Sequence, residues 1–156
     1  MALETYNDLK TYLQQLATDH TDINDFQSGN FDRLKHTFGG KSVQAPVMFV
    51  EWPSLNLADY DDNTEGKFQF GLFILYAVAR DKFDDQDNAI NNATEILRNI
   101  IARWIRVDKP ESSYIIEVDQ IIEPVTFLMI DNCFGAKVEV SIGDHIGLVH
   151  DETKWP

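Results

Sequence analysis

Residues 67–80 constrain the fold more than any other part of the chain. The even positions, Phe68, Phe70, Leu72, Ile74, Tyr76 and Val78, are all apolar, which is the alternation of a β-strand with one face in a core. The odd positions open with Lys67, Gln69 and Gly71 and then turn apolar at Phe73, Leu75, Ala77 and Ala79. Such a strand belongs in the middle of a sheet, and from Phe73 onward both of its faces need cover. Helices on one side cannot supply both. A partner subunit is one source of cover, which makes Phe73, Leu75, Ala77 and Ala79 candidate interface residues. The chain's own irregular stretches, residues 23–42 and 124–135, are the other.

Three further segments read as strands. Residues 47–52 form a short apolar run between Pro46 and Pro53, the place prolines take at strand limits. Tyr114, Ile116 and Val118 alternate with Ile115, Glu117 and Asp119, while Val138, Val140 and Ile142 alternate with Lys137, Glu139 and Ser141; each pattern suits a strand with one wet face. Two helices stand out. Leu3, Tyr6, Leu9, Leu13 and Leu16 recur at helical spacing until the turn-forming run Asp19-His20-Thr21-Asp22. Ala89, Ala93, Ile96, Leu97, Ile100, Ile101, Trp104 and Ile105 stripe a longer helix over residues 85–107. Asp84, Asp85 and Asp87 sit at its positive dipole end, Arg103 and Arg106 lie near its negative end, and Pro110 closes it. Between the first helix and the first strand, Phe26, Phe31, Leu34 and Phe38 anchor an irregular stretch with a helical turn at 31–36, ended by Gly39-Gly40. The expectation is a single α+β domain over residues 1–156, in the order α-β-β-α-β-β: a mostly antiparallel sheet of about four strands with two main helices on one face.

Charge excludes several classes. Twenty-six Asp and Glu against 13 Lys and Arg leave a net charge of −13, so neither a phosphate-gripping nucleic-acid surface nor adhesion to an anionic membrane is expected. A content of 44% hydrophobic and 12% aromatic residues excludes a chain too polar to fold. Eight acids crowd into two short segments: Asp59, Asp61, Asp62 and Glu65 in one, Asp81, Asp84, Asp85 and Asp87 in the other. Like charges so close repel, so they form a candidate acidic surface, either solvated or facing a basic partner. One cysteine, Cys133, excludes an intrachain disulfide framework. The first eight residues lack the basic and apolar regions of a secretory signal, and the longest strongly apolar run, residues 70–79, is about half the length of a membrane span. The expected compartment is a reducing cytoplasm, which makes the glycosylation pattern at Asn92-Ala93-Thr94 incidental.

No chemical motif completes itself. Gly39-Gly40-Lys41-Ser42 resembles the end of a phosphate loop, but Lys35 stands where that loop needs its first glycine, and a strand follows instead of a helix. Counting from Asp61, oxygen donors fall at the first, third and fifth positions (Asp61, Asn63, Glu65) with Gly66 sixth, yet the twelfth position of a calcium loop is Leu72 rather than Glu. That excludes an EF-hand and leaves a solvated hairpin loop or a weak divalent-ion site. His20, His36, His145 and His150 lack metal-ligand spacing. Asp144 and His145 are strand neighbours that point to opposite faces, and Ser112, Ser113 and Ser141 lack the sharp turn of a nucleophile. Cys133 between Asn132 and Phe134 reads as a small buried apolar residue. Neither catalysis nor a cofactor or metal is expected.

The opening helix, the strand over 67–80, the helix over 85–107 and the closing strand Lys137-Val138-Glu139-Val140-Ser141-Ile142 together make a helix, a strand pair, a long helix and a second strand pair. In a small acidic chain this resembles the tail terminator and tail completion proteins of tailed phages, also described as head-to-tail joining or neck proteins. The resemblance covers most of the chain and is one of element order. It implies a homo-oligomeric ring, a hexamer being one such ring, that caps or joins a tail tube and contacts other tail or head-completion proteins. It also implies assembly in the host bacterial cytoplasm and then a place in the virion. Small regulatory modules that bind a basic partner through an acidic surface are the competing class. An enzyme without a recognisable motif is the remote one.

Overall fold

The computed structural model describes residues 3–39, 44–60, 63–108, 115–118, 121–127 and 132–145. Helix α1 (Tyr6–Asp19) begins at a reciprocal cap, in which the Asp8 N–H donates to Thr5 Oγ1 and the Thr5 N–H donates to Asp8 Oδ2. The Thr5 hydroxyl, which donates to the same Asp8 Oδ2 at 2.7 Å, and then the Thr5 N–H hold the Asp8 carboxyl below its ordinary pKa. Next come β1 (Asp25–Gly29), α2 (Phe31–Gly39), β2 (Val47–Glu51), β3 (Ser54–Tyr60) and β4 (Asn63–Ala77). Helix α3 (Phe83–Arg103) runs into a π-helical turn, Trp104–Asp108, followed by β5 (Ile115–Val118), β6 (Glu123–Phe127) and β7 (Cys133–His145).

The α+β class holds, but the four-stranded, mostly antiparallel sheet in the order α-β-β-α-β-β is corrected. Among the described residues, seven strands form one mixed sheet, with β1 parallel to β2. At its centre β4 and β7 run antiparallel from Glu65↔His145 to Ala77↔Cys133. Each is flanked by an arm in two pieces. Val50 opposes Leu72 and Ser54 opposes Gln69, so residues 51–53 run against only two residues of β4. This one-residue bulge, at a Pro53 that has no N–H for the ladder, splits the arm into β2 and β3. It also reverses the side-chain phase. Met48 and Val50 share the inner face with Ile74 and Leu72, whereas beyond the bulge Leu55 and Leu57 take that face opposite Phe68 and Gly66. The second arm, β5 then β6, has four residues between its pieces where β7 has two, so its phase is kept. Strand β6 lies in the stretch expected to be irregular, because Pro124 weakens its strand pattern. The parallel strand β1 comes from the other such stretch.

The main core lies between the sheet and helices α1 and α3, the two helices expected on one face. Leu9, Leu13 and Leu16 of α1 and Ala93, Leu97 and Ile100 of α3 meet Phe68, Phe70, Leu72 and Ile74 of β4 and Val138, Val140 and Ile142 of β7. The helices are tied at one end: the Tyr12 hydroxyl donates to Asp108 Oδ2 at 2.6 Å, and Arg103 lies 3.5 Å from Asp108 and 3.4 Å from Asp19. The Leu3 N–H donates to the buried Asp144 carboxylate at 3.2 Å, pinning the start of the described chain to the end of β7.

Helix α2 was expected only as a turn, and it packs on the opposite face. Leu34 and Phe38 close over Phe49, Phe73, Leu75, Val125 and Cys133. The rings of Phe31, Phe49 and Phe73 lie with centroids 5.8 to 6.2 Å apart, and each such pair adds about 0.5–1.5 kcal/mol beyond area burial. The chain's own segments therefore cover Phe73 and Leu75, which are 3% and 0% exposed. Both are interior to the domain. Ala77 lies at the end of β4 and Ala79 just beyond it, and both are exposed. No helix among the described residues is long and apolar enough to cross a membrane.

Candidate assembly surfaces

A sheet ends in strand edges, and unpaired edge N–H and C=O groups are templates for another chain. Away from α2 the sheet runs β3-β4-β7-β5, and the outer edges of β3 and β5 have no strand beside them among the described residues. Natural edges are blunted by lysine, proline, bulges or shortness. Strand β5 has four residues, and β6 carries Pro124. Strand β3 has seven residues and contains neither lysine nor proline. Its phase, reversed by the bulge, turns Leu55 and Leu57 toward the helix-covered face, yet beyond the helices. They are 45% and 52% exposed, beside Trp52 at 55%. The other side of the same strand carries Ser54, Asn56 and Ala58. The sequence signal was the Leu-x-Leu spacing after Pro53, masked by the polar and acidic residues around it.

The opposite face of this half of the sheet is polar, and no helix among the described residues packs over its Gln69, Glu117 and Ser141 row. Glu51 lies against Gly71 and feels Glu139; Gln69, Ser141 and Glu117 form the next row. Burial, then repulsion from Glu139, raises the Glu51 pKa. Lys67 pairs with Glu117 at 3.2 Å, and Lys137 with Glu123 at 3.3 Å and Glu139 at 3.7 Å. Such exposed pairs contribute about 0–1 kcal/mol each. Carboxylates outnumber lysines here, so the face is acidic.

The acids singled out in the sequence do not form one patch. Asp59 is on β3 and Glu65 on β4, near the hairpin end of the sheet, while Asp61 and Asp62 lie outside the described residues. Asp81, Asp84, Asp85 and Asp87 are exposed around the start of α3, beyond the far end of β4. At the strand rise, a 15-residue β4 separates the two groups by roughly 45 Å. The Lys41-Ser42 part of the phosphate-loop look-alike lies outside the described residues. No group of three or more metal-ligating side chains occurs among the described residues. Burial pushes the Cys133 thiol up to about 12, leaving it without nucleophilic character at neutral pH. A polar groove of about 520 Å³ that the sequence did not reveal lies between the α1–β1 turn and α3, lined by Asp22, Asn24, Tyr76, Asn92, Glu95 and Asn99. Burial and the nearby Asp22 charge raise the Tyr76 hydroxyl pKa.

No protein-family model matches the chain, and no curated protein does. What remains to read are the surfaces of the chain itself.

Proposed function

We propose that the chain is a structural subunit of a tailed-phage tail or neck assembly, a ring that caps or joins the tail tube. The observation that carries the reading is the seven-residue β3 edge, free of lysine and proline, with Leu55, Leu57 and Trp52 exposed. An isolated soluble domain gains nothing from such an edge and risks aggregation by it. A subunit that assembles uses it. The class of assembly comes from the resemblance, which is carried by the residues of α1, β4, α3 and β7. In such a ring the acidic residues near both ends of β4 would keep DNA from adhering to the wall, because like charges repel the polymer.

Electron microscopy of the purified chain, alone and mixed with tail tubes, tests the proposal. Rings of one diameter with a central opening, or caps on tube ends, are the expected result. A chain that stays monomeric and leaves tube ends bare overturns it. The acidic sheet face that carries Glu51 and the exposed Glu117 and Glu139 favours a second reading, a small module that binds a basic protein. That reading expects a monomer or dimer by light scattering and capture of a basic partner that high salt releases.

A further inference from the structure

Resting on the ring reading, we infer that subunits join edge to edge, the β3 strand of one copy pairing antiparallel with the β5 strand of the next. Three observations converge on this junction. The first is direction. Along β3-β4-β7-β5 every neighbouring pair is antiparallel, so β3 and β5 run in opposite senses at the two outer edges. A second copy placed beside the first in the same orientation therefore meets β5 with its β3 antiparallel, and the alternation continues across the boundary. The contact is head-to-tail, the kind that closes into a ring when the rotation per copy allows.

The second observation is the matching of faces. Ile116 and Val118 of β5 turn toward the main core, as do Leu55 and Leu57 of β3. Setting Glu117 opposite Asn56 of the next copy places Ile116 beside its Leu57 and Val118 beside its Leu55, all on the helix side. Glu117 and Asn56 meet on the polar side. A slip of one residue would put both leucines against Glu117 and Ile115 on the wet face, which the period of two forbids. The third observation is the contrast between edges. Strand β6, on the same side as β5, carries Pro124 opposite Ala136, which limits its use as a template. Strand β5 is short, so the junction spans only its four residues, but it carries no proline, and its one charge, Glu117, has Lys67 as a partner within the subunit.

The test is a cysteine pair. Asn56 and Glu117 are both exposed, so Asn56→Cys with Glu117→Cys leaves the fold intact, and directly opposed residues bring Cβ atoms to about 4.5–5.5 Å, near disulfide reach. Cys133 is buried and does not compete. On oxidation the double variant should convert from monomer to a ladder on non-reducing gels that ends at the ring size. The pair Leu57→Cys with Glu117→Cys, on opposite faces, should not. Leu57→Lys, which adds the charge that blunts edges, should shift the assembly to monomer while far-ultraviolet circular dichroism and Tm stay unchanged. Rings that form without the 56–117 cross-link overturn the junction and leave the ring reading standing. A covalent dimer from Asn56→Cys alone also overturns it, because two β3 edges would then be pairing across a two-fold axis. No assembly by the unmodified chain, alone or on tail tubes, removes the ring reading and this inference together.

Discussion

Replacing Gly135 by alanine should break the centre of the sheet. Gly135 lies on β7 between Leu75 of β4 and Val125 of β6. A Cβ built there would sit 1.9 Å from the Ile74 carbonyl oxygen and 2.9 Å from its carbon. Non-bonded carbon and oxygen atoms approach to about 3.3 Å, so the two strands would have to part by more than 1 Å, on the order of the whole margin of a ladder hydrogen bond. The obstacle is backbone, which no rotamer change removes. Losing two ladder bonds at about 1 kcal/mol each, together with loosened packing around Phe73 and Leu75, puts the cost at about 3 kcal/mol or more. That is a large share of the roughly 5–15 kcal/mol by which a domain is stable. Gly143→Ala is the control on the same strand. Its Cβ would meet Lys67 Cγ at 2.8 Å and the Gly66 oxygen at 3.1 Å. The lysine can swing aside at the expense of its exposed bridge to Glu117, so the cost should stay below about 1.5 kcal/mol. Equilibrium urea unfolding of both variants, with similar m-values, reads the difference. Equal losses, or a Gly135→Ala loss under about 1 kcal/mol, would refute the argument.

Four further outcomes are expected. Leu34→Ala should cost about 2–5 kcal/mol and raise binding of an apolar dye, because it uncovers Phe49, Phe73 and Leu75; an unchanged urea midpoint would mean that α2 does not hold that face. Tyr12→Phe leaves the Asp108 carboxylate without its 2.6 Å donor and should cost about 1–3 kcal/mol in the same assay. Glu51 has its pKa raised by burial and by Glu139, so the folded state binds its proton more tightly than the unfolded chain. The stability linked to that proton is complete below the ordinary carboxylate pKa and is lost as pH rises through the raised value. Glu51→Gln should therefore raise Tm at neutral pH and leave it unchanged in acid, and a lowered Tm at neutral pH would reverse the assigned sign. Cys133, 1% exposed, should resist a thiol reagent at pH 8 until denaturant is added.

The elements legible in the sequence were those whose period repeats many times. Helices α1 and α3 and strands β4 and β7 show their stripes over long runs; the structure moves the 67–80 strand to 63–77, leaving 78–80 outside it, and lengthens the closing strand to 133–145. The elements missed are short, and each has a local reason. Strand β3 shows two leucines amid polar residues, β6 opens on Glu-Pro, and β1 makes its pairs with a strand 22 positions away in sequence, which no local pattern reports. The need to cover both faces of residues 73–79 was readable. Whether a partner or the chain itself supplied the cover was not, because that depended on α2, whose stripe in nine residues is little more than Leu34 and Phe38. The β3 edge was hidden for a related reason: only the bulge at residues 51–53 decides which way Leu55 and Leu57 point.

That bulge makes the sheet sensitive to the parity of length changes. Deleting one residue from 51–53 would set two residues against two and remove the bulge with Ser54 still opposite Gln69, so Leu55 and Leu57 would keep their face, whereas a further odd residue that the ladder does not absorb would turn them onto the acidic face. Between β5 and β6 the surplus is two, so removing or adding a pair there should leave every downstream side chain on its present face. Related chains should therefore differ in length by even steps in the second arm and, in the first, by no odd step other than the loss of the bulged residue itself. The bulge acts as a half-twist in a ribbon, taking up the odd residue so that the outer half of the first arm keeps the surface it shows to a neighbour.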